Sequence, residues 1–223
     1  MKVIKLVALL IIGCCLFSIN AKAQYLHDIN GTPITRSRYQ DVSGSPFLAD
    51  GWSAGTVKFT NGVSYKDNLF LKYNVKDDEL YFKGKNDEPL LFVDSVAEFA
   101  IKGPAGVIHH YRNGFKPIDG YTNRSFFEVL ADGTVELLKK TNKTILETKA
   151  YNSPTTERSF VEVNQYYLLR SGKAMPIRKR DNKSILSVLS DKQPALEKYI
   201  KDNNLNLKND SDFSKLIIYY NSL

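Results

Sequence analysis

The sequence predicts a mainly β fold: a single antiparallel β-meander, barrel or sandwich, with a short C-terminal helical segment. Three observations carry that expectation. Strand-like segments recur about every ten residues between Gly55 and Ile177, the spacing of a sandwich or barrel rather than of βαβ units. Turn pairs such as Asn61-Gly62 and Asp132-Gly133 separate them, and connections this short favour antiparallel pairing, because a parallel crossover needs about a dozen residues. After Asn182 the apolar residues change to helical spacing.

Met1–Ala23 has the pattern of a secretory signal peptide. Lys2 and Lys5 supply its positive start. Leu6–Phe17 supplies an apolar core shorter than the roughly 20 residues of a membrane span. Ala21-Lys22-Ala23 places cleavage before Gln24. Ile11-Ile12-Gly13-Cys14 also resembles a lipoprotein cleavage box, with Cys14 as the lipidated residue. Against that alternative, the apolar run continues through Cys15-Leu16-Phe17, where a polar tether should begin. Both cysteines lie in this segment, so cleavage before Gln24 removes every thiol, disulfide and Cys-based zinc site. The remaining 200 residues suffice for one well-buried domain. The formal charge of +7 falls to +4 without Lys2, Lys5 and Lys22, too mild a balance to argue for nucleic acid.

Residues 24–54 show little periodicity and read as an irregular N-terminal arm, broken by Asn30-Gly31-Thr32-Pro33 and Ser43-Gly44-Ser45-Pro46. Pro46-Phe47-Leu48 and Trp52 are its expected anchors, with Trp52 read as a half-buried packing residue rather than a sugar platform. The β domain follows over 55–181. Gly55–Thr60 alternates at period two, and Asn61-Gly62 after it suits a type I′ turn. Leu69, Leu71, Tyr73 and Val75 share one face of the next strand. Lys76-Asp77-Asp78-Glu79 is a polar turn before Leu80-Tyr81-Phe82. Leu90–Val93 is apolar throughout and should be covered on both faces. Ala97, Phe99 and Ile101 mark the last strand of this run.

Downstream, Val107–Tyr111 reads as a strand, with Asn113-Gly114 as a hairpin turn and Phe115–Ile118 as its return. Phe126–Leu130 and Val135–Lys139 flank Asp132-Gly133 in one of the clearest hairpins. Thr144–Ala150, Phe160–Val163, Tyr166–Arg170 and Ala174–Ile177 complete the strands, with Ser171-Gly172 as a turn. Residues 182–223 form C-terminal helices packed on the β domain. Ile185, Leu186, Val188 and Leu189 have helical spacing. Ser190-Asp191 before Pro194 looks like a helix start, and Asn203-Asn204 a stop. Asp210 or Ser211 is the expected cap of a last helix carrying Phe213, Leu216, Ile217 and Tyr220.

Catalytic signatures are missing. There is no Gly-x-Ser-x-Gly elbow and no His-Glu-x-x-His. Gly172-Lys173 imitates the end of a phosphate loop, but Tyr167 stands where the first Gly belongs and Ala174 where the magnesium-binding hydroxyl belongs. His109 and His110 are adjacent on a strand and point to opposite faces, so they do not chelate one metal. Asp77-Asp78-Glu79 and Asp87-Glu88 read as solvated turn residues and miss the spacing of a calcium loop. Arg170, Lys173, Arg178, Lys179, Arg180 and Lys183 form a basic set in sequence, read as a solvated loop rather than an anion surface. No catalytic, cofactor-binding or metal-binding residue is assigned, and no cofactor.

Several of these segments together carry a resemblance. They are Gly55-Thr56-Val57 with Asn61-Gly62, Leu71-Lys72-Tyr73-Asn74 with Glu79-Leu80, and Val96 with Phe99. Phe126–Leu130 with Gly133 and Leu137-Leu138-Lys139-Lys140 continues the pattern. Asp191-Lys192, Tyr199–Asn203 and Tyr219-Tyr220-Asn221 complete it. The chain resembles a family of uncharacterised exported proteins of Bacteroidetes-type bacteria. The resemblance implies a Gram-negative envelope location and carries no activity, cofactor or site residue. The expected role is therefore that of a non-catalytic envelope protein, periplasmic or associated with the outer membrane, that binds a ligand or partner. The expected partners are an envelope protein, a glycan or a lipid, with no nucleic acid and no transmembrane helix in the mature chain. The alternatives are an extracytoplasmic enzyme whose site assembles only in the fold, and a structural component of an envelope assembly.

Overall fold

A computed structural model describes residues 31–33, 39, 41–149, 151, 156–178 and 180–223. The expected signal segment, Cys14 and the expected cleavage site lie outside the described residues. The described strands are β1 (Gly31–Pro33), β2 (Ser53–Phe59), β3 (Ser64–Asn74), β4 (Glu79–Lys83), β5 (Pro89–Phe92), β6 (Val96–Lys102), β7 (Ile108–Arg112), β8 (Phe127–Ala131), β9 (Val135–Thr148), β10 (Glu157–Arg170) and β11 (Lys173–Ile177). They form one antiparallel sheet in the order β1-β5-β4-β3-β2-β6-β7-β8-β9-β10-β11. The sheet is mainly a meander and does not close, for β1 and β11 are its edges.

Strand order forces the N-terminal half to curl. β5 and β6 stand four places apart in the sheet, yet only Val93, Asp94 and Ser95 join them. Four strand spacings in a flat sheet measure about 19 Å. The link from Phe92 to Val96 reaches about 14 Å at most. The sheet must bend until β5 meets β2 and β6. Thr60 N donates to the Ser95 carbonyl at 2.9 Å, and the Phe59 and Phe92 rings pack edge-on at 5.5 Å. Inside the curl lie Leu69, Leu71, Tyr73, Phe82, Phe99 and Ile101.

Directly opposed residues in antiparallel strands share a face. Pairing therefore defines one row across β3, β2, β6, β7, β8, β9, β10 and β11: Tyr65, Val57, Phe99, Tyr111, Glu128, Lys139, Tyr166 and Ile177. A single sheet face thus runs from the curl into the C-terminal half. There it carries Val135, Leu137 and Leu168 and is roofed by three helices: α1 (Asn182–Val188), α2 (Gln193–Asp202) and α3 (Asp210–Ser222). Phe213, Leu216, Ile217 and Tyr220 are buried as their spacing requires.

Local chemistry departs from expectation at definite points. The Asn61-Gly62 turn is not type I′, because only Gly62 has positive φ, +87°. Gly62 N and Phe59 O, with Phe59 N and Val63 O, close a three-residue loop instead. Ser171 and Gly172, both at positive φ, make the two-residue turn of that kind. Leu90, Leu91 and Phe92 are only half-buried and Val93 is exposed, so β5 is not covered on both faces. No strand forms over Phe115–Ile118; 113–126 is an irregular crossing with one bridge, Ile118 to Tyr121. Thr144–Thr148 continues β9, and Phe160–Val163 and Tyr166–Arg170 are one strand, β10. The intervening polar residues pair across the ribbon, with Thr141 Oγ1 2.7 Å from Asn164 Oδ1. The cap of α3 is Asn209, which accepts from Ser211 N; Asp210 is turned to the sheet. α2 begins at Gln193 after a 3-10 turn over Ser190–Lys192.

Gly55 sits where β2 is pressed between β3 and β6. A Cβ there would lie 2.4 Å from the Ala100 carbonyl oxygen and 2.6 Å from Leu71 Cδ1. The first is backbone and cannot rotate away. Gly55→Ala should lower unfolding free energy by about 1–3 kcal/mol or more, read by urea denaturation. Wild-type stability in that variant would show that the two strands have room to part.

Candidate binding cleft and the buried Lys140 knot

Lys140 is the deepest charge among the described residues, its side chain only 2% exposed. Its ammonium lies 2.9 Å from Asp78 Oδ2. It also donates to the Phe126 carbonyl at 2.9 Å and to Tyr73 Oη at 3.3 Å. Three N–H donors thus meet three acceptors. The rings of Tyr121 and Phe127, 5.2 and 5.7 Å away, complete the enclosure. Asp78 in turn accepts from the Tyr73 hydroxyl and from Phe126 N at 3.3 Å. Burial pulls the Lys140 ammonium below the usual lysine range, with Asp78 opposing that shift. Burial, reinforced by the Asp78 charge, pushes the Tyr73 phenol well above its ordinary value.

Asp78 holds this position from the β3–β4 turn at φ +62°. That left-handed conformation costs a non-glycine residue about 1–2 kcal/mol. Glycine would sit there without strain but would leave Lys140 unpaired. The Asp77-Asp78-Glu79 run is therefore no solvated turn. Asp77 accepts from Tyr39 at 2.6 Å and from Asn74 at 2.9 Å, and Glu79 from the Tyr81 hydroxyl.

Beside the knot, the mouth of the curl opens as a cleft of about 520 Å³. Its apolar lining includes Leu80, Phe92, Val93, Val96 and Phe126, while Asp78 forms part of one wall. The polar rim comes mainly from the β5–β6 link and the 113–126 crossing, with Thr60 from the loop after β2. Hydrogen bonds hold the crossing in place. Asn113 Nδ2 donates to Val96 O at 2.7 Å, Asn113 N to Ala97 O at 3.1 Å and Gly114 N to Asn123 O at 2.8 Å. Asn113-Gly114 thus opens the rim of a cleft rather than a hairpin.

A second polar cluster lies on the shared sheet face, where the curl ends and the helical roof begins. Glu128 and Lys139 are directly opposed on β8 and β9, with Glu128 Oε2 and Lys139 Nζ 4.0 Å apart. His109 Nδ1 is 2.6 Å from Glu128 Oε1. Its ring lies so close to Gly103 that a Cβ there would stand 2.7 Å away. Lys139 Nζ pairs with Asp210 Oδ2 at 2.8 Å. Arg180 and the Tyr166 hydroxyl both reach Asp210 Oδ1 at 2.9 Å. Burial would raise the Asp210 carboxyl, but the Lys139 hydrogen bond and the neighbouring charges outweigh it and hold it below the ordinary range.

His109 and His110 do face apart: His109 joins this cluster, and His110 opposes Ala100. Among the described residues no group of three His, Cys, Asp or Glu is placed to hold a metal ion. The basic set of the sequence does not stay together as a surface. Arg180 is spent on Asp210, and Arg170 pairs with Asp191 at 3.1 Å; Lys179 lies outside the described residues. Trp52 is half-buried. Phe47 packs on Tyr81, and Leu48 N donates to Tyr73 O, so this part of the arm is anchored.

Neither Lys140 nor Asp78 stands out as a site residue in the sequence. One signal was present. Leu137-Leu138 on a strand implies that both faces are covered, so Lys139-Lys140 directly after it must find partners on both. No protein-family model, curated protein or solved structure matches the chain.

Asp78→Ala should destabilise by about 3–5 kcal/mol, the cost of stranding a buried cation. Lys140→Met combined with Asp78→Ala should recover much of that loss. Denaturant unfolding of Asp78→Ala, Lys140→Met and the double variant measures the coupling, and additive effects would refute it. Asp210 supplies the pH test. Its folded pKa is lowered, so its contribution is complete above the unfolded carboxylate value near 3.9 and is lost as pH falls through the lower folded value. Asp210→Asn should cost about 1–2 kcal/mol at pH 7 and flatten the acid limb of the stability profile below the unfolded carboxylate value. An unchanged acid slope would contradict the assignment.

Proposed function

We propose that this chain is an exported protein of a Gram-negative cell envelope, periplasmic or at the outer membrane, that works by binding a small ligand rather than by catalysis. The observation that carries the binding reading is the cleft at the mouth of the curl. Its volume lies within the roughly 300–1,000 Å³ usual for ligand sites, and its apolar floor and polar rim suit such a role. Its walls belong to strands and a pinned crossing, so the site is largely preformed.

The nearby groups with displaced pKa values do not favour chemistry. Lys140 is an ammonium with all three N–H groups engaged and is 2% exposed, so it offers no lone pair and no free proton to a substrate in the cleft. Tyr73 is equally buried and its hydroxyl is committed to Asp78. The envelope location rests on Met1–Ala23 and on the resemblance to exported Bacteroidetes-type proteins. Among the described residues no helix is long and apolar enough to cross a membrane.

Fragment screening by amide NMR tests the binding reading. Ligands should move resonances of the link Val93–Ser95 and of Asn123 and Arg124 before any others. Hits that cluster elsewhere, or a screen that moves none of these amides, would remove the cleft as the functional site.

A further inference from the structure

We infer that the cleft recognises an uncharged carbohydrate, one or two sugar rings of a glycan; this deepens the binding reading and rests on it. The inference starts from the polar groups that folding leaves unspent. Among the described residues the side chains of Thr60, Asp94, Ser95, Asn123 and Arg124 line the cleft and take part in no hydrogen bond or ion pair. The other charge in the lining, Asp78, is already neutralised by Lys140.

The remaining set has a definite character. Asp94 only accepts and Arg124 only donates, while the hydroxyls and the amide do both. Their formal charges cancel, so the cleft does not select a phosphate or a cationic ligand. A sugar hydroxyl donates and accepts at once, and adjacent hydroxyls match the paired oxygens of a carboxylate and the forked N–H groups of a guanidinium. Sugar rings also carry C–H faces. Phe92, half-buried on β5, with Val93 and Val96 beside it, provides an apolar surface within the same cleft. A lipid chain would leave the rim groups facing hydrocarbon without partners.

The geometry also places the two charges on separate segments. Asp94 belongs to the β5–β6 link, and Arg124 to the crossing before β8. A ligand held in the cleft is offered an acceptor from the link and a donor from the crossing. Both side chains are exposed, so replacing either leaves the folded core untouched.

Titration of the isotope-labelled full mature chain tests this. Maltotriose, cellotriose and chitotriose serve as neutral probes, with trialanine and tri-galacturonic acid as comparators of similar size. At least one neutral trisaccharide should shift the amides of residues 92–96 and 123–124. Asp94→Ala and Arg124→Ala should each weaken that binding about tenfold, the equivalent of about 1.4 kcal/mol, with no change in melting temperature. Shifts by trialanine or the acidic trimer alone would overturn the carbohydrate assignment and leave the cleft as a binding site. No shift in the cleft with any of the five probes would overturn the carbohydrate assignment, and the fragment screen then decides the binding reading separately.

Discussion

The ion pair between Lys140 and Asp78 is the constraint on which the rest of this architecture turns. A lysine ammonium withdrawn from water loses several kcal/mol of hydration, and one carboxylate in a low-dielectric setting rarely returns it all. Here the deficit is shared. The Phe126 carbonyl, the Tyr73 hydroxyl and the aromatic enclosure supply the remaining contacts. The partners come from two regions far apart in sequence: Tyr73 and Asp78 from the β3–β4 hairpin, and Phe126 and Lys140 from the crossing into β8 and from β9. One buried charge therefore ties the hairpin to the crossing and the long ribbon, which do not pair with it directly in the sheet. The geometry is demanding enough that Asp78 is held in a left-handed conformation.

The same economy explains the seam farther along the sheet. One continuous face must be kept from water across both halves, and the protein does this in two ways. The N-terminal half rolls over its own face. The C-terminal half borrows three helices. Neither device reaches the rows between them, so Glu128 and Lys139 stand where purely apolar neighbours would be half-wetted. His109 from one side and Asp210 from the other close the gap. Asp210 is better used there than as a helix cap, and Asn209 takes the capping role.

These features were unequally legible in the sequence. Periodicity is local, so Leu69, Leu71, Tyr73 and Val75 announced their strand, and Phe213 to Tyr220 their helix. The antiparallel sheet with terminal helices followed from such runs. Curvature did not, because it depends on which strand β6 joins. Had β6 paired with β5, the same segments would have made a plain meander. Polar runs misled where the chain pairs them: Thr141–Lys143 looked like an interruption and lies inside a 14-residue strand. The knot was the least accessible, since Tyr73 and Lys140 are 67 residues apart. An acidic turn pattern is also the same whether its carboxylates meet water or a buried lysine.

The cleft is a consequence of how the curl is closed. A barrel sealed by hydrogen bonds along its last strand pair would leave no opening between β5 and β6. This sheet is instead drawn together by a three-residue link, one backbone bond from Thr60 and packing between Phe59 and Phe92. Such a closure is stable only if the gap below it is filled or capped, and the crossing over 113–126 does the capping. It is pinned at one end by Asn113 and at the other by the Lys140 knot through Phe126. The rim is thus rigid at both ends while its outward side chains remain free. A ligand entering there must displace water from groups already well solvated, so its advantage lies in preorganised geometry rather than in buried area.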